Sequence, residues 1–557
     1  MFEYSLGTMK SQLVLKNAKI LNVFSNEWIE QDIAIQYGTI VGIGQYEGEK
    51  EIDLSGKYVV PGFIDAHMHI ESSLVGPEEL SKALLAQGTT TIISDPHELV
   101  NIKGTEALDY VLAAGRNTTL DIYTMLPSSV PCFDEDTNGA GEFSAEQMIP
   151  YIEDPNVLGL GEVMRVKDVI YEKDKMISKL ELCKDLVIDG HAPSLEGKEL
   201  EAYRFADVLT DHESSSFEEA LAKLRCGFYV LIREGSQAKN LESIVKGFLE
   251  HNIPFDRTAF CTDDRHLDDI LKEGHISYAI RKAIDLGLDV CTAYKMATLF
   301  PAQIYGLKRK GAIAAGYQAD FVVLNDPKTV SIDQVYKNGH IATLKHVKAF
   351  EPNEDLMHTV MIPEVLKEDI QIKRRDKNTI IQLEEGSLLT KKLEEEVPGY
   401  VYFEPASPYN KVVVVERHGK NGNIATGILK GFNLEGGAIG STIAHDSHNM
   451  ILVGDNDDDI LLAAKTLEHF QGGYVLIKDH EVKCIIPCPI AGLMSTQNAS
   501  VVTKLLTDLK EEAQKMGVPK AIDPFQALSF LALPVIPEIR ILDGGVYDVV
   551  NEKFIEQ

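Results

Sequence analysis

Cysteine is scarce in this 557-residue chain: seven in all, spread from Cys132 to Cys488. An odd, sparse set lacks the dense spacing of a disulfide scaffold and fits a reducing compartment. Cys484 and Cys488 have no metal-binding partners near them, so a zinc site is not read there. Basic side chains are also short, 54 against 85 acidic ones, which leaves a net charge of -31. That balance repels phosphate backbones and anionic lipid, and argues against nucleic acid and membrane surfaces as partners. A neutral or cationic small molecule is the easier substrate. No apolar run approaches the roughly 18 residues of a membrane span. The N-terminal MFEYSLGTMKSQLVLKN has no basic stretch followed by an apolar core, so no secretory leader is read and a cytoplasmic location is expected. Internal repeats and low-complexity segments are lacking. Gly159-Leu160-Gly161 lacks the third glycine and helix start of a dinucleotide site.

What is present is ordinary globular composition, 44% hydrophobic and 25% charged, in a chain long enough for two or three domains. Between about 13 and 60, apolar and polar positions alternate, and 13–15, 32–36 and 40–43 read as short antiparallel strands. The rhythm then changes. Eight short apolar runs follow, at 62–66, 91–94, 121–126, 157–161, 186–189, 208–211, 229–232 and 258–262. Helical patterns lie between them at 78–87, 105–114, 197–206, 217–224 and 241–249. Strand, helix, strand, repeated, means parallel pairing through crossover helices. Eight such units predict an α/β fold, a TIM-like (β/α)8 barrel with its catalytic groups just after the strands. A doubly wound open sheet is the alternative, and would gather ligands at one switch point.

After the barrel, 290–299 reads as a helix. The run 316–325 (GYQADFVVLN) reads as a turn and a strand returning to the first β unit, making a small β-sandwich. The charged stretch 367–376 is expected to be a surface connection, and KKLEEE at 391–396 a solvated face. From about 380 onward an α/β region is expected, with strands at 411–416, 450–453 and 474–478 and helices at 460–470 and 500–516. The expected division is therefore 1–60 and 306–365 for the β-sandwich, 61–305 for the barrel, and 366–557 for a C-terminal α/β domain.

The strongest local feature is Pro61-Gly-Phe-Ile-Asp-Ala-His67-Met-His69-Ile-Glu71. Two histidines at i and i+2 on an extended chain point to opposite faces. At the frayed end of a strand the backbone can twist, and both imidazoles can then reach one cation. Alone, an H-x-H is as well explained by ordinary surface histidines. Position changes this, because ionisable residues end six of the other seven barrel strands: Asp95, His97 and Glu98; Glu162; His191; His212 and Glu213; Arg233 and Glu234; Asp263 and Asp264. Polar loops in general predict Ser, Asn, Lys and Gly just as often. Four histidines and two carboxylates can bind two metal ions with one carboxylate bridging. Ions ~3.5–4 Å apart would lower the pKa of a water toward neutrality. A nearby aspartate could take and redeliver its proton.

PGFIDAHMHIES, with the later His191, His212 and Asp263, resembles the amidohydrolase superfamily. Within it, IESS, DPHELVNIKG, GLGEVM, DGHAP, HESS, IREGS and CTDDRH resemble the adenine deaminases, and the likeness covers essentially the whole chain. The resemblance implies deamination of adenine by water, giving hypoxanthine and ammonia, in purine salvage. It implies His67 and His69 at the more buried metal, Glu162 bridging in place of the carboxylated lysine of many relatives, and His191 and His212 at the second metal. Asp263 would bind metal and act as general acid/base, with Asp264 the neighbour most easily confused with it. The metals implied are Mn(2+) or Fe(2+), with Zn(2+) less favoured. Glu213 is a second catalytic candidate. It and the Arg233, Glu234 and Ser236 loop would contact the base edge or orient ligand histidines. Asp95 and His97 would form an accessory site or cap the following helix. Asp446 and His448, in Ala444-His445-Asp446-Ser447-His448-Asn449, would close over the barrel mouth or stay within their own domain, with Gly436 and Gly437 permitting a sharp bend. The zinc nucleobase deaminases pair H-x-E with P-C-x-x-C, which this chain lacks, so deamination here belongs to the barrel scaffold. A homodimer is expected. Another aminopurine or cyclic amide, or a non-catalytic scaffold, are the competing functions. The intact ligand set argues against the scaffold.

Overall fold

The computed structural model describes residues 1–342, 350–384, 387 and 389–557. The first unit is built on a long strand, β1 (Ser11–Asn22), antiparallel to β2 (Glu27–Gln36). Tyr37 and Gly38, both at positive φ, turn β2 into β3 (Thr39–Gly44), the geometry a two-residue hairpin requires. β4 (Gly48–Asp53) and β5 (Tyr58–Pro61) run parallel to β1. Alternate residues Leu15, Ile20, Ile33, Ile35 and Ile40 face one core.

Eight parallel strands follow. They are β6 (Phe63–Met68), β7 (Thr89–Ser94), β8 (Asp121–Leu126), β9 (Val157–Val163), β10 (Val187–Gly190), β11 (Thr210–Asp211), β12 (Tyr229–Arg233) and β13 (Thr258–Cys261). β6 to β10 form one run and β11 to β13 another. Leu209 N donates to Ile188 O at 2.8 Å and Asp263 N to His67 O at 3.0 Å, which closes the ring. Both faces of these strands are largely buried, one in the packed interior of the ring and the other under its helices. Ala66, Ile93, Met125, Leu231, Ala259 and Cys261 pack together within the ring. A packed interior leaves chemistry only the rim, where the strands end.

The helix expected at 290–299 breaks instead into Val290–Met296 and Leu299–Ile304. Pro301 has no N–H to give Ala297 O, and that carbonyl accepts from Ile64 N at 2.8 Å. The chain then adds β14 (Phe321–Asp326), β15 (Ser331–Lys337) and β16 (His340–Ile341) to β5, making the first unit one eight-stranded sheet. Thr39 pairs with Gln318 across its ends, so the sheet curls over its core as a sandwich does. Residues 343–349, within the segment expected at 306–365, lie outside those described.

The C-terminal region is a second eight-stranded sheet: β17 (Asn378–Leu383), β18 (Thr390–Glu395), β19 (Tyr409–Val415), β20 (Ile424–Lys430), β21 (Gly437–Ser441), β22 (Met450–Gly454), β23 (Gly473–Lys478) and β24 (Glu481–Pro487). A three-strand meander, β25 (Ile539–Leu542), β26 (Gly545–Asp548) and β27 (Lys553–Ile555), ends the fold. KKLEEE is thus edge strand β18 rather than simply a solvated face. Its charges are paired, Lys392 with Asp548 and Glu395 with Lys430, and a charged edge resists pairing with other chains. In β19, Val413 and Val415 pack against the helix Asp457–His469, while Val412 and Val414 join a core shared with the helix Ala499–Lys515 and the barrel's Leu80, Leu84, Leu267 and Ile270. That shared core brings the loop after β21 to the barrel mouth. Among the described residues no helix is long and apolar enough to cross a membrane.

Candidate metal centre and active-site cavity

His67 lies in the last residues of β6, which ends at Met68, and His69 follows it, their ring centroids 4.9 Å apart. Asp263 follows β13 at φ +57, a left-handed conformation that Asp tolerates better than most residues. It aims Oδ1 at both rings, 3.0 Å from His69 Nε2 and 3.6 Å from His67 Nε2. Asp95 O lies 2.9 Å from His69 Nδ1, which assigns the proton to Nδ1 and frees Nε2 toward the site.

Glu162, near the end of β9, sits between two pairs of imidazoles. Its Oε1 lies 3.3 Å from His69 Nε2 and 3.9 Å from His67 Nε2. Its Oε2 lies 2.6 Å from His191 Nδ1 and 3.3 Å from His212 Nε2. Burial pushes this carboxyl up, but the His191 and His212 imidazoles outweigh it and hold it well below the usual carboxylate range. Both ring nitrogens of His67 and Nδ1 of His212 are buried without a hydrogen bond. His67, His69 and Asp263 form one group with metal-ligand spacing, and His67, Glu162 and His212 another.

Arg233 grips Glu213 through both terminal nitrogens and donates to Asp263 Oδ2 at 2.8 Å. Glu213 Oε1 stands 3.4 Å from His212 Nε2. Asp264 points elsewhere, to Ser72 and toward His445 Nε2 at 3.9 Å, so geometry separates it from Asp263. Glu234 and Ser236 are not brought to the cavity. After β12 the chain turns back on itself, Gly235 N bonding Ala238 O, which sends Glu234 to Lys282 and Ser236 to Asp269. Gln237 and Ala238 line the cavity instead.

Capping by Asp95 is overturned. The helix His97–Lys103 has Pro96 at its cap and no side-chain cap bond. Asp95 Oδ2 instead accepts from Glu162 N at 2.9 Å. His97 Nδ1 lies 3.4 Å from Glu162 Oε1, and its Nε2 lies 3.8 Å from Asp446 Oδ1. His445 Nδ1 lies 3.2 Å from Glu98 Oε1. The C-terminal loop therefore meets the barrel rim. His448 is buried behind it and does not line the cavity. Its Nδ1 accepts from Ala444 N at 3.1 Å. That bond leaves the proton on Nε2, so His448 cannot offer a lone pair to a cation there.

These groups line one side of a cavity of about 440 Å³. The other side is apolar and comes from the C-terminal domain: Leu389, Phe530, Leu533, Val535, Ile536 and Pro537. Sequence reasoning missed this wall; it singled out the loops that carry Glu98 and His445 but not those two residues themselves. Glu98 had a signal, its place beside His97. The wall had none, since its residues precede no motif.

The sequence model of the Amidohydrolase family matches residues 58–342, and that of the Adenine deaminase C-terminal domain matches 387–553. An adenine deaminase of Desulfitobacterium hafniense (strain Y51) is 48% identical over 554 residues, 99% of this chain and 97% of that protein. One of Bacillus subtilis (strain 168) is 41% identical, covering 99% of this chain and 97% of its own. Among solved structures, the crystal structure of an adenine deaminase covers 60% of this chain and 99% of that chain at 16% identity, with a TM-score of 0.46.

Proposed function

The chain belongs to the amidohydrolase family and, within it, to the adenine deaminases, and from that premise we infer that it hydrolyses adenine to hypoxanthine and ammonia. Family and side-chain clusters together give it a divalent-metal centre. The observation that carries the reading is the divided carboxylate of Glu162, one oxygen toward His67 and His69, the other toward His191 and His212.

The fit to a metal pair rests on the unbonded ring nitrogens of His67 and His212 and on a donor set of imidazole nitrogen and carboxylate oxygen without thiolate. Such donors suit divalent manganese, iron or zinc, and it is the family resemblance that favours manganese or ferrous iron. In this reading His67, His69 and Asp263 would hold one ion and His191 and His212 the other, with Glu162 offering a carboxylate oxygen to each group. When bound, the pair supplies the Lewis acidity that brings a water's pKa toward neutrality. The protein's own groups handle the protons and the base. Arg233 occupies Asp263 Oδ2 and leaves Oδ1 facing the site. Asp263 takes one proton from the attacking water and passes it to the ring nitrogen beside C6. The new C6–O bond forms, the C6–N bond breaks, and the second water proton leaves on the amino group as ammonia. Glu213, held by Arg233, faces the edge of the base. Phe530 and its apolar neighbours seat the ring and exclude water. His97 and Asp446 stand as accessory groups where the two domains meet. Seven free thiols support a reducing, cytoplasmic setting. A homodimer is the oligomer to check by light scattering.

The test is ammonia release from adenine by manganese-loaded protein, with metal counted on the same sample. Rapid release with about two ions per chain supports substrate and centre together. Two ions without release would reject adenine and turn the search to other aminopurines and cyclic amides.

A further inference from the structure

Glu213 follows β11 and Glu98 follows β7. In a ring of eight strands those two are four apart, so the two carboxylates stand on opposite sides of the barrel mouth. On the β7 side the C-terminal domain sends in His445, whose ring lines the cavity with Nδ1 3.2 Å from Glu98 Oε1. We propose that His445 is a further catalytic residue, donating Nε2–H to N7 of the purine on the side of C6 away from N1. The inference rests on adenine being the substrate.

Three carboxylates surround this one imidazole. Besides Glu98, Asp446 Oδ1 lies 3.7 Å from Nδ1 and Asp264 Oδ2 lies 3.9 Å from Nε2. Glu98 has no exposed surface and neither of its oxygens is in a hydrogen bond, so it acts through the ring it faces. Asp264 is too far from Nε2 for a hydrogen bond, and its Oδ1 takes the Ser72 hydroxyl. Among the described residues, then, no hydrogen bond uses Nε2. Burial pushes the imidazole down, but Glu98, then Asp264 and Asp446, outweigh it and raise its pKa to about 9, so Nε2 carries a proton at neutral pH. The Phe530 ring, 4.8 Å away and tilted by 35°, holds the plane of the imidazole.

The chemistry of the base supplies the rest. C6 of a purine lies between N1 and C5, and C5 carries N7. With C6 toward Glu162 and the N1 edge toward Glu213, N7 points across the mouth to His445. N7 has a lone pair and needs a donor, which the ionised carboxylates of Glu98, Asp264 and Asp446 cannot be. His97 turns its Nε2 to Asp446, 3.8 Å away. As the water oxygen joins C6, electron density moves onto the ring nitrogens. A fixed cationic donor at N7 takes up part of it, and is worth more in the transition state than in the bound substrate.

The experiment compares wild type with His445→Phe, which keeps a ring against Phe530 and removes the donor. Calorimetric titration of the manganese-loaded proteins with hypoxanthine and 7-deazahypoxanthine gives a ratio of affinities, and ammonia release gives kcat/KM for adenine. Wild type should prefer hypoxanthine about tenfold or more, and His445→Phe should bring the ratio within about threefold and lower kcat/KM about tenfold or more. Where His445→Phe does not fold, Glu98→Gln decides, since it leaves His445 in place without its charge partner and should shrink the same ratio. A wild type that does not distinguish the two bases, or variants that keep the wild-type ratio, overturns the proposal. An interdomain ion pair with no contact to the base would leave the ratio unchanged. Wild type that releases no ammonia from adenine with two ions bound fails the reading of the site itself, whereas normal release with an unchanged ratio fails this inference alone.

Discussion

Glu162 reaches its position through neighbours that bind no metal. An alanine Cβ at Gly161 would lie 2.2 Å from Asp95 Oδ2, the same oxygen that accepts from Glu162 N. The missing side chain lets Asp95 hold the strand end, and the strand end aims Glu162. Glu162→Gln keeps the shape and removes the charge. We expect metal content well below two ions per chain and turnover down by about 10²-fold or more, and normal metal content would remove Glu162 from the ligand set. Gly161→Ala should act in the same direction without touching a ligand. Asp263→Asn should retain metal better than Glu162→Gln but lose about 10²- to 10⁴-fold in kcat. Near-wild-type turnover would move the proton to another group. The sequence alone did not separate Asp263 from Asp264. Only the left-handed backbone at Asp263 does, and no residue pattern announces it.

β11 has only two residues, Thr210 and Asp211, yet His212 hangs from its end. Asp211 makes so short a strand sufficient. Its carboxylate accepts from Ala192, Glu213 and Ser214 backbone nitrogens, pinning the loops beside His191 and His212 together. Lys223, fully buried, supplies the counter-charge at 2.7 Å. Burial pushes Asp211 up and Lys223 more than offsets it, so the folded pKa lies below the ordinary value. A depressed carboxyl contributes stability above its unfolded pKa, about 4, and that contribution is lost as pH falls through the folded value. Lys223→Met reverses the sign. The stranded carboxyl would be raised, and its contribution would be lost as pH rises above about 4. Thermal unfolding should show a loss of about 3–5 kcal/mol at neutral pH that shrinks toward pH 4. A loss independent of pH would mean that Lys223 acts by packing alone. The barrel was legible at this scale because each strand is an apolar run closed by polar residues. Of the C-terminal sheet, three strands of eight were legible, β19, β22 and β23. β18 is written in lysine and glutamate, and β17 and β20 mix polar and apolar positions as exposed sheet edges and half-covered faces permit. The break before Leu299 was written in Pro301, but its other cause, the bond from Ile64, joins distant segments.

The cavity belongs to the whole molecule, because its metal-facing side comes from the barrel and its apolar side from the C-terminal domain. Motifs showed the first side, where ionisable residues mark the ends of all the barrel strands but β8. Nothing local could show the second, since Phe530 and Leu533 become a wall only when the two domains share a core. Phe530→Ala should therefore raise KM for adenine several-fold and leave kcat within about threefold, the pattern for contacts made equally to substrate and transition state. A kcat loss with unchanged KM would instead tie Phe530 to the proton steps, through His445, whose ring lies tilted with its centroid 4.8 Å away. The same shared core makes a harder prediction. Leu80, Leu84, Leu267 and Ile270 of the barrel's helices share a core with Leu506 and Leu509 of the helix Ala499–Lys515, which packs against those helices. Residues 1–365 made alone would expose that surface to water, a contiguous apolar patch of the kind that drives association. The fragment should aggregate and show no ammonia release from adenine, and co-expression with residues 366–557 should return soluble complex and part of the activity. A soluble, monomeric fragment with wild-type kcat/KM would show that the barrel completes its site unaided, and would reduce the C-terminal domain to an accessory.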